Sequence, residues 1–325
     1  MADETGASLA TLRQRAAMLA AIRAFFAARG VLEIETPALS SAGVTDPAIE
    51  SVAAAVRSLG PASSYLHTSP EFAMKRLLAA GSGDIYQICR VFRDDELGRW
   101  HQPEFTLLEW YRVGWNDDRL MTEVAELVAA ALDAAGPGKT RPRRVVRVPY
   151  AEALEQALGA TPAASVTALT QRLVERGIDV PQGLGHDAVL DLAFSTLVVA
   201  SFDAAALTFV HDYPASQAAL ARLKPTTPPV AARFELYSGG IELANGFHEL
   251  TDAAEQRRRF ETERDARRRA GRHVPPLDER LLAALAAGLP DCAGVALGFD
   301  RLVALAAGHD NVAAAVAVAH RGENG

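Results

Sequence analysis

Hydrophobic positions change rhythm several times along the chain, and each rhythm predicts an element. From Leu9 to Arg29, the apolar positions Leu12, Ala16, Leu19, Ile22 and Phe26 recur at intervals of three and four. That spacing marks one face of an amphipathic helix, and Gly30 is placed to stop it. In VLEIETPAL the period shortens, with Val31, Glu33 and Glu35 alternating with Leu32 and Ile34, which predicts a short strand ended by Pro37. Further on, YQICRVF and FTLLEWY are apolar runs flanking a polar segment with Gly98 and Pro103, the pattern of two antiparallel strands joined by a long loop. From about Asp117 to Pro229 the chain is rich in Ala and Leu, with helical segments around MTEVAELVAAALDAAG and ASVTALTQRLVERG, and KPTTPPV reads as a loop. Between Arg233 and Leu305 come a glycine turn, an apolar strand carrying carboxylates, a charged helix opened by a capping-box pair, Asp252 and Glu255, and a glycine-bounded strand. No internal repeat is evident.

Composition narrows the class. With 325 residues, 49% of them hydrophobic, the chain can bury a substantial core as one large domain or two small ones. No apolar run reaches the roughly 18 residues of a membrane span, and the N-terminus MADETGASLATLRQR is polar and acidic. A soluble, cytosolic protein is the expectation, with no membrane partner. The net charge of -7 excludes broad, nonspecific affinity for nucleic acid. Arginines do concentrate between Arg257 and Arg272, and their helical spacing with interspersed glutamates predicts a solvated helix face, a local basic patch being the alternative. Cys89 and Cys292 have no metal-ligand spacing and read as buried thiols.

Three segments carry candidate chemistry. The loop after YQICRVF holds Arg93, Asp94, Asp95, Glu96, Arg99 and His101. A fixed guanidinium suits bidentate phosphate recognition and the acids suit a magnesium-bound nucleotide, while a charged hairpin loop without a ligand has the same composition. In FELYSGGIELANGFHEL, Glu235 and Glu242 flank Gly239 and Gly240, so a tight turn brings two strand-borne carboxylates together over a hard cation, or leaves them exposed on an edge strand. Asn245, His248 and Glu249 follow among apolar neighbours, and buried acids need a cation or a ligand amine. Finally, GVALGFDRLVAL reads as a strand leading through Asp300 and Arg301 into a helix, where an arginine adds its charge to the helix N-terminus.

The order and contents of these segments resemble one family. GVLEIETPAL is similar to motif 1 of the class II aminoacyl-tRNA synthetases, VFRDDE with HQPEF to motif 2, and GVALGFDRL to motif 3. TSPEFAMKRLL, HQPEFTLLEWY and IELANGFHELTD resemble the lysyl-tRNA synthetase catalytic domain, and the similarity runs from about Leu12 to Leu305, weakest in the Ala-rich part. Two features depart from that enzyme. The matching segments start almost at residue 1, so the N-terminal OB-fold that reads the anticodon is not expected, and Ala296 stands where lysyl-tRNA synthetases have glycine. In that form, motif 3 is similar to the short paralogues that attach lysine or (R)-β-lysine to elongation factor P. An extra methyl at 296 would reshape the amino-acid pocket to suit a displaced amine.

The resemblance implies an α+β fold, an antiparallel sheet flanked by helices. It implies a single catalytic domain over residues 1–325 with a helical, Ala-rich insertion at about 117–230, and a homodimer with motif 1 at the interface. It also implies ATP and magnesium. Arg93 would hold the α-phosphate, Arg301 the γ-phosphate, and Glu235 and Glu242 the magnesium ions. Asp94, Asp95 and Gln102 would lie on the adenosine side, Phe105 would stack on adenine, and Leu243 and Gly298 would line the nucleotide site. Ser69, Pro70 and Glu71 would form a loop over the amino-acid amine. Asn245 would contact the carboxylate, Tyr111 with Glu249, helped by Glu109, would hold the side-chain ammonium, and Ala296 would shape the pocket. Asp95 replaces a more usual glutamate and Gln102 a more usual asparagine. The activity implied is amino-acid activation to an adenylate and transfer to a lysine of elongation factor P. A synthetase charging tRNA or a small acceptor, and a noncatalytic relative that only binds, are the alternatives.

Overall fold

A computed structural model describes residues 6–59, 64–136, 142 and 144–320; the acidic stretch before Gly6 lies outside them. The chain opens with helix α1 (Leu9–Ala27), capped by Ser8 and followed by Gly30 at φ 67°. Strands β1 (Leu32–Glu33), β2 (Leu39–Ser40), β3 (Ala53–Ala54) and β4 (Ser64–Leu66) lead to α2 (Glu71–Ala79). The two apolar runs then form β5 (Ile85–Phe92) and β6 (Glu104–Val113), antiparallel, with α3 (Asp117–Ala134) after them. Next come β7 (Arg144–Pro149), α4 (Tyr150–Leu158), α5 (Val166–Glu175), α6 (His186–Ala193), β8 (Ala206–Pro214) and β9 (Leu223–Lys224). The chain finishes with the hairpin β10 (Val230–Ser238) and β11 (Ile241–His248), then α7 (Ala253–Arg269), α8 (Glu279–Gly288), β12 (Cys292–Gly298) and α9 (Phe299–Ala307).

A nine-stranded sheet in the order β1-β5-β6-β12-β11-β10-β8-β7, with β9 beside β10, organises these elements, and β2, β4 and β3 form a small second sheet. The sheet is mixed: β1 joins β5 and β7 joins β8 in parallel, while the strands between are antiparallel. The main core lies under α1, α3 and α9, where Phe26 stacks on Tyr86 and meets Trp110 edge-on. Among the described residues no helix is long and apolar enough to cross a membrane.

Several expectations need correction. The segment at 117–230 is not only helical: β7 and β8 extend the main sheet, the buried ALTFV run pairing with β10 on one side and with the largely exposed edge strand β7 on the other. On α1 the buried side chains are Thr11, Met18, Ile22, Phe25 and Phe26, so Ala16 faces out and Leu12 and Leu19 are only half-buried. Asp252 caps α7 through Ala254 and Glu255 N–H, but the Glu255 carboxylate turns to Arg258 and Arg259, so only half of the capping box forms. The arginine face of α7 is not wholly solvated either. Arg267 is buried and donates to the carbonyls of Asp46, Ile49 and His273 and to Glu50. Cys292 is buried as expected, whereas Cys89 is only half-buried.

Candidate active site

Strands β6, β12 and β11 lie side by side at the centre of the sheet, and Glu109, Tyr111 and Asn245 from them share one face. Their register sets Ala296 opposite Asn245 on one side and opposite Glu109 on the other, and Gly294 opposite Tyr111. Above them is a cavity of about 330 Å³, which Ser69, Pro70, Glu71, Arg93, Glu109, Tyr111, Asn245, Glu249 and Ala296 all line. Every residue expected to touch the amino acid is therefore brought together.

The cavity floor is a cluster of acids. Glu109 Oε2 accepts from Ser69 Oγ at 2.6 Å and its Oε1 from the Tyr111 hydroxyl at 2.8 Å. Burial and the neighbouring Glu71 charge push its carboxyl up to about 8, against those two hydrogen bonds. Burial likewise pushes Glu249 up to about 7 although Lys75 pulls it down. Ser69 Oγ also accepts from Glu71 N at 3.0 Å, so Glu71 opens α2 rather than lying in a loop. A lysine at position 75 was not foreseen: it sits one turn along α2, bonded to Glu71, a spacing visible in EFAMK. Neither was Gly294, where an added Cβ would stand 2.3 Å from Tyr111 Cε1 and 2.7 Å from Glu249 Oε1. Only glycine leaves that space open.

The phosphate side is built differently. Arg93 follows β5, lies 5.1 Å from the Phe105 ring centroid, and donates through Nε to Thr68 O at 3.4 Å. In the first turn of α9, Arg301 donates to Trp100 O at 3.1 Å and Glu242 O at 2.9 Å, and its Nη1 is 3.6 Å from Glu242 Oε2. Loss of surrounding water, then Arg301 and Arg93, hold the His101 imidazole below its ordinary range, so both guanidiniums act on one space. Leu243 is buried beneath, and Gly298 caps α9 with a bare Cα beside Leu243 O. Asp94 and Asp95 are exposed, and Asp95 takes φ 60°, a left-handed conformation that aspartate tolerates. Gln102 departs from expectation: it is buried and its oxygen accepts from His320 N at 2.8 Å, so the C-terminal segment claims it.

The two carboxylates expected to hold magnesium are not equivalent. The Glu242 side chain is 40% exposed beside Arg301 and has oxygens to offer a hard cation. Burial and the charge of Glu235 push its carboxyl up, against Arg301, Arg93 and Arg233. Glu235 does not fit the role of a direct ligand. Its Oε1 accepts from Arg233 and from Asn245 Nδ2, and its Oε2 from the Tyr213 and Tyr237 hydroxyls. Four donors use its four lone-pair sites. Among the described residues no group of three or more His, Cys, Asp or Glu is arranged around a metal. Arg233, fixed by Glu235 and by Gln217 O, also lines the cavity beside Asn245 and was not foreseen. The Asn245 side-chain oxygen is buried without a partner, an acceptor left for a ligand.

The family model for class II tRNA synthetases (D, K and N) matches residues 4–321. The elongation factor P–(R)-β-lysine ligase of Pseudoalteromonas translucida is 48% identical over 319 residues, 96% of this chain and 95% of that protein. The protein of the same name from Salmonella dublin is 47% identical over 324 residues, 97% of this chain and 96% of its own length.

Proposed function

The chain belongs to the class II tRNA synthetase family (D, K and N), and we propose that within it this protein is an ATP-dependent ligase for elongation factor P. It activates (R)-β-lysine, or lysine, and transfers it in the cytoplasm to the ε-amine of a lysine on that factor. The observation that carries this reading is the cavity floor, where Glu71, Glu109 and Glu249 gather beside Tyr111. Buried carboxylates need cations, and an amino acid with two ammonium groups supplies them. The near full-length match to ligases of that name supports the acceptor and the β-amino acid. Ala296 supports the latter again, since its methyl lines the cavity between Asn245 and Glu109.

The chemistry follows from the two sides of the site. A carboxylate oxygen of the amino acid, held by Arg93, attacks the α-phosphorus of ATP, while the free Asn245 side-chain oxygen suits a ligand N–H. The bond to the β-phosphate oxygen breaks, pyrophosphate leaves, and an aminoacyl-adenylate remains. Arg93 meets the charge that builds on the α-phosphoryl group and Arg301 the charge on the departing phosphates. Glu242 would hold magnesium against the phosphates, where it supplies charge neutralisation. A neutral lysine amine of the acceptor then attacks the carbonyl carbon, the bond to phosphate breaks, AMP leaves, and the nitrogen loses a proton. Orientation and electrostatics do most of this work.

A second copy of the chain is proposed to cover α1 and β1. There Leu9 is 73% and Leu32 is 56% exposed, and β1 ends the main sheet with β5 as its one partner in that sheet, leaving an edge that a second copy could cover. Sedimentation at dilute concentration tests this, and a monomer at micromolar concentration would rule it out.

The decisive experiment is mass spectrometry of purified elongation factor P after incubation with this protein, ATP and (R)-β-lysine. One added aminoacyl group on a lysine is expected. Unmodified factor, together with efficient transfer of labelled lysine to tRNA, would replace this reading with a tRNA-charging one.

A further inference from the structure

Beneath the acid cluster lies a cation that no role above uses. Lys75 is 1% exposed, and its Nζ stands 2.6 Å from Glu71 Oε1 and 2.6 Å from Glu249 Oε2. Both carboxylates line the cavity, whereas Lys75 approaches them from behind. The surrounding charged and titratable groups come from several neighbouring elements, with Glu263 of α7 and Asp278 and Arg280 at the start of α8 on the same cavity. Glu71 is on α2, Glu249 follows β11, Glu109 and Tyr111 are on β6, Cys292 is on β12, and Arg222 and Asp291 lie beyond Glu249 and Cys292. Burial works against the Lys75 charge, but Glu249 and Glu71 more than offset it and hold the ammonium above its ordinary range.

Around Lys75, the acids Glu71, Glu109 and Glu249 outnumber the one buried lysine, so this end of the cavity keeps surplus negative charge for the ammonium groups of a ligand. We propose that Lys75 is a specificity-determining positioning residue, a built-in counter-ion that favours the ionised Glu249 and keeps Glu71 and Glu249 aimed so that the cavity takes an amino acid with two ammonium groups. The inference rests on the lysine-type substrate proposed above. Its physical basis is that a buried carboxylate stripped of its cation takes up a proton instead, and an incoming ammonium must then displace that proton. Even with Lys75 present, burial lifts Glu249 to about 7 and Glu109 to about 8. Without Lys75 the Glu249 carboxyl would be pushed further up and would take up a proton more readily.

The test is ATP–pyrophosphate exchange driven by lysine and by (R)-β-lysine across neutral to alkaline pH, for the wild type and for Lys75→Met, Lys75→Gln and Lys75→Arg. The Met and Gln variants should move the rising limb of kcat/KM for the amino acid up by about one pH unit or more, equivalent to about tenfold at pH 7. KM for ATP should stay within about twofold, since Lys75 touches no residue on the phosphate side. Arg, which keeps the charge, should return the limb toward the wild-type position. The Gln variant retains a donor to the carboxylates and keeps the test open if the Met variant does not fold. An unmoved limb in the uncharged variants, or a limb displaced as far by Arg as by Met, overturns the proposal. A wild type that shows no exchange with either amino acid removes the substrate assignment and this inference together, whereas wild-type exchange with an unmoved limb removes this inference alone.

Discussion

Replacing Gly294 by alanine puts one methyl group at the most crowded point of the amino-acid site. The new Cβ would lie 2.3 Å from Tyr111 Cε1, 2.4 Å from Cδ1 and 2.7 Å from Glu249 Oε1. Ordinary carbon contacts begin at about 3.5 Å, so the ring has to retreat by about 1 Å. Glu249 cannot yield easily, being 1% exposed and tied to Lys75. The Tyr111 ring is the movable partner, and its hydroxyl reaches Glu109 at 2.8 Å. A retreat of that size carries this bond out of range, and a hydrogen bond to a charged group contributes about 1.5–3 kcal/mol. Converted at 1.4 kcal/mol per tenfold, the expected loss is about 10- to 150-fold in amino-acid affinity. Overpacking should also lower stability by about 1–3 kcal/mol. Amino-acid-dependent pyrophosphate exchange, with each substrate varied in turn, reads the effect as a raised KM for the amino acid and an unaltered KM for ATP. A variant with wild-type amino-acid KM, or one in which both constants rise together, would refute the reasoning.

Three further outcomes follow from the same geometry. Arg301→Ala should lower exchange by about 100-fold or more while leaving the melting curve nearly unmoved, because the lost guanidinium serves a phosphate and two carbonyls at the cleft edge; wild-type exchange would remove the phosphate role. Ala296→Gly should shift the ratio of exchange rates between (R)-β-lysine and lysine toward lysine, and an unchanged ratio would show that the methyl does not select. The empty cavity should lose stability as pH rises. Glu109 and Glu249 have folded values of about 8 and about 7 against an ordinary 4.5, so the stability they contribute is present below 4.5 and is lost as pH climbs through 7 to 8. Thermal shift measurements should therefore show lysine-type ligands stabilising more at pH 8.5 than at pH 6, and an equal stabilisation at both would count against the acid cluster as the ammonium seat.

Local pattern made much of this architecture legible, and the failures have physical causes. Apolar runs bracketing Arg93 gave β5 and β6, and the glycine pair gave the β10–β11 hairpin, because strand and turn are encoded within a few residues. The buried face of α1 was misjudged at Ala16 and missed at Thr11 and Met18, since periodicity cannot say which neighbours a helix will meet. Lys75 reads as a routine helix lysine next to Glu71, and only the fold brings up Glu249, 174 positions away along the chain. The same holds for Glu235. Its spacing from Glu242 suggested a shared cation, yet Tyr213 reaches it from β8, whose pairing with β10 the sequence does not state, and Arg233 from two residues earlier on the same strand.

Asp300, the residue before Arg301, is buried at a three-way junction. One oxygen receives Arg15 from α1 at 2.5 Å and the other receives Thr106 N–H from β6 at 2.8 Å, while Arg15 also reaches Thr106 Oγ1 at 2.7 Å. The first turn of α9 is thereby bolted to a helix and a strand that come from the opposite end of the sequence. Holding a long, flexible guanidinium in one direction costs conformational entropy, of the order of 2 kcal/mol for an arginine side chain. With its base clamped at Asp300 and its tip resting on Trp100 O and Glu242 O, Arg301 loses much of that freedom when the chain folds. The loss is then incurred once in the life of the molecule, not in every turnover.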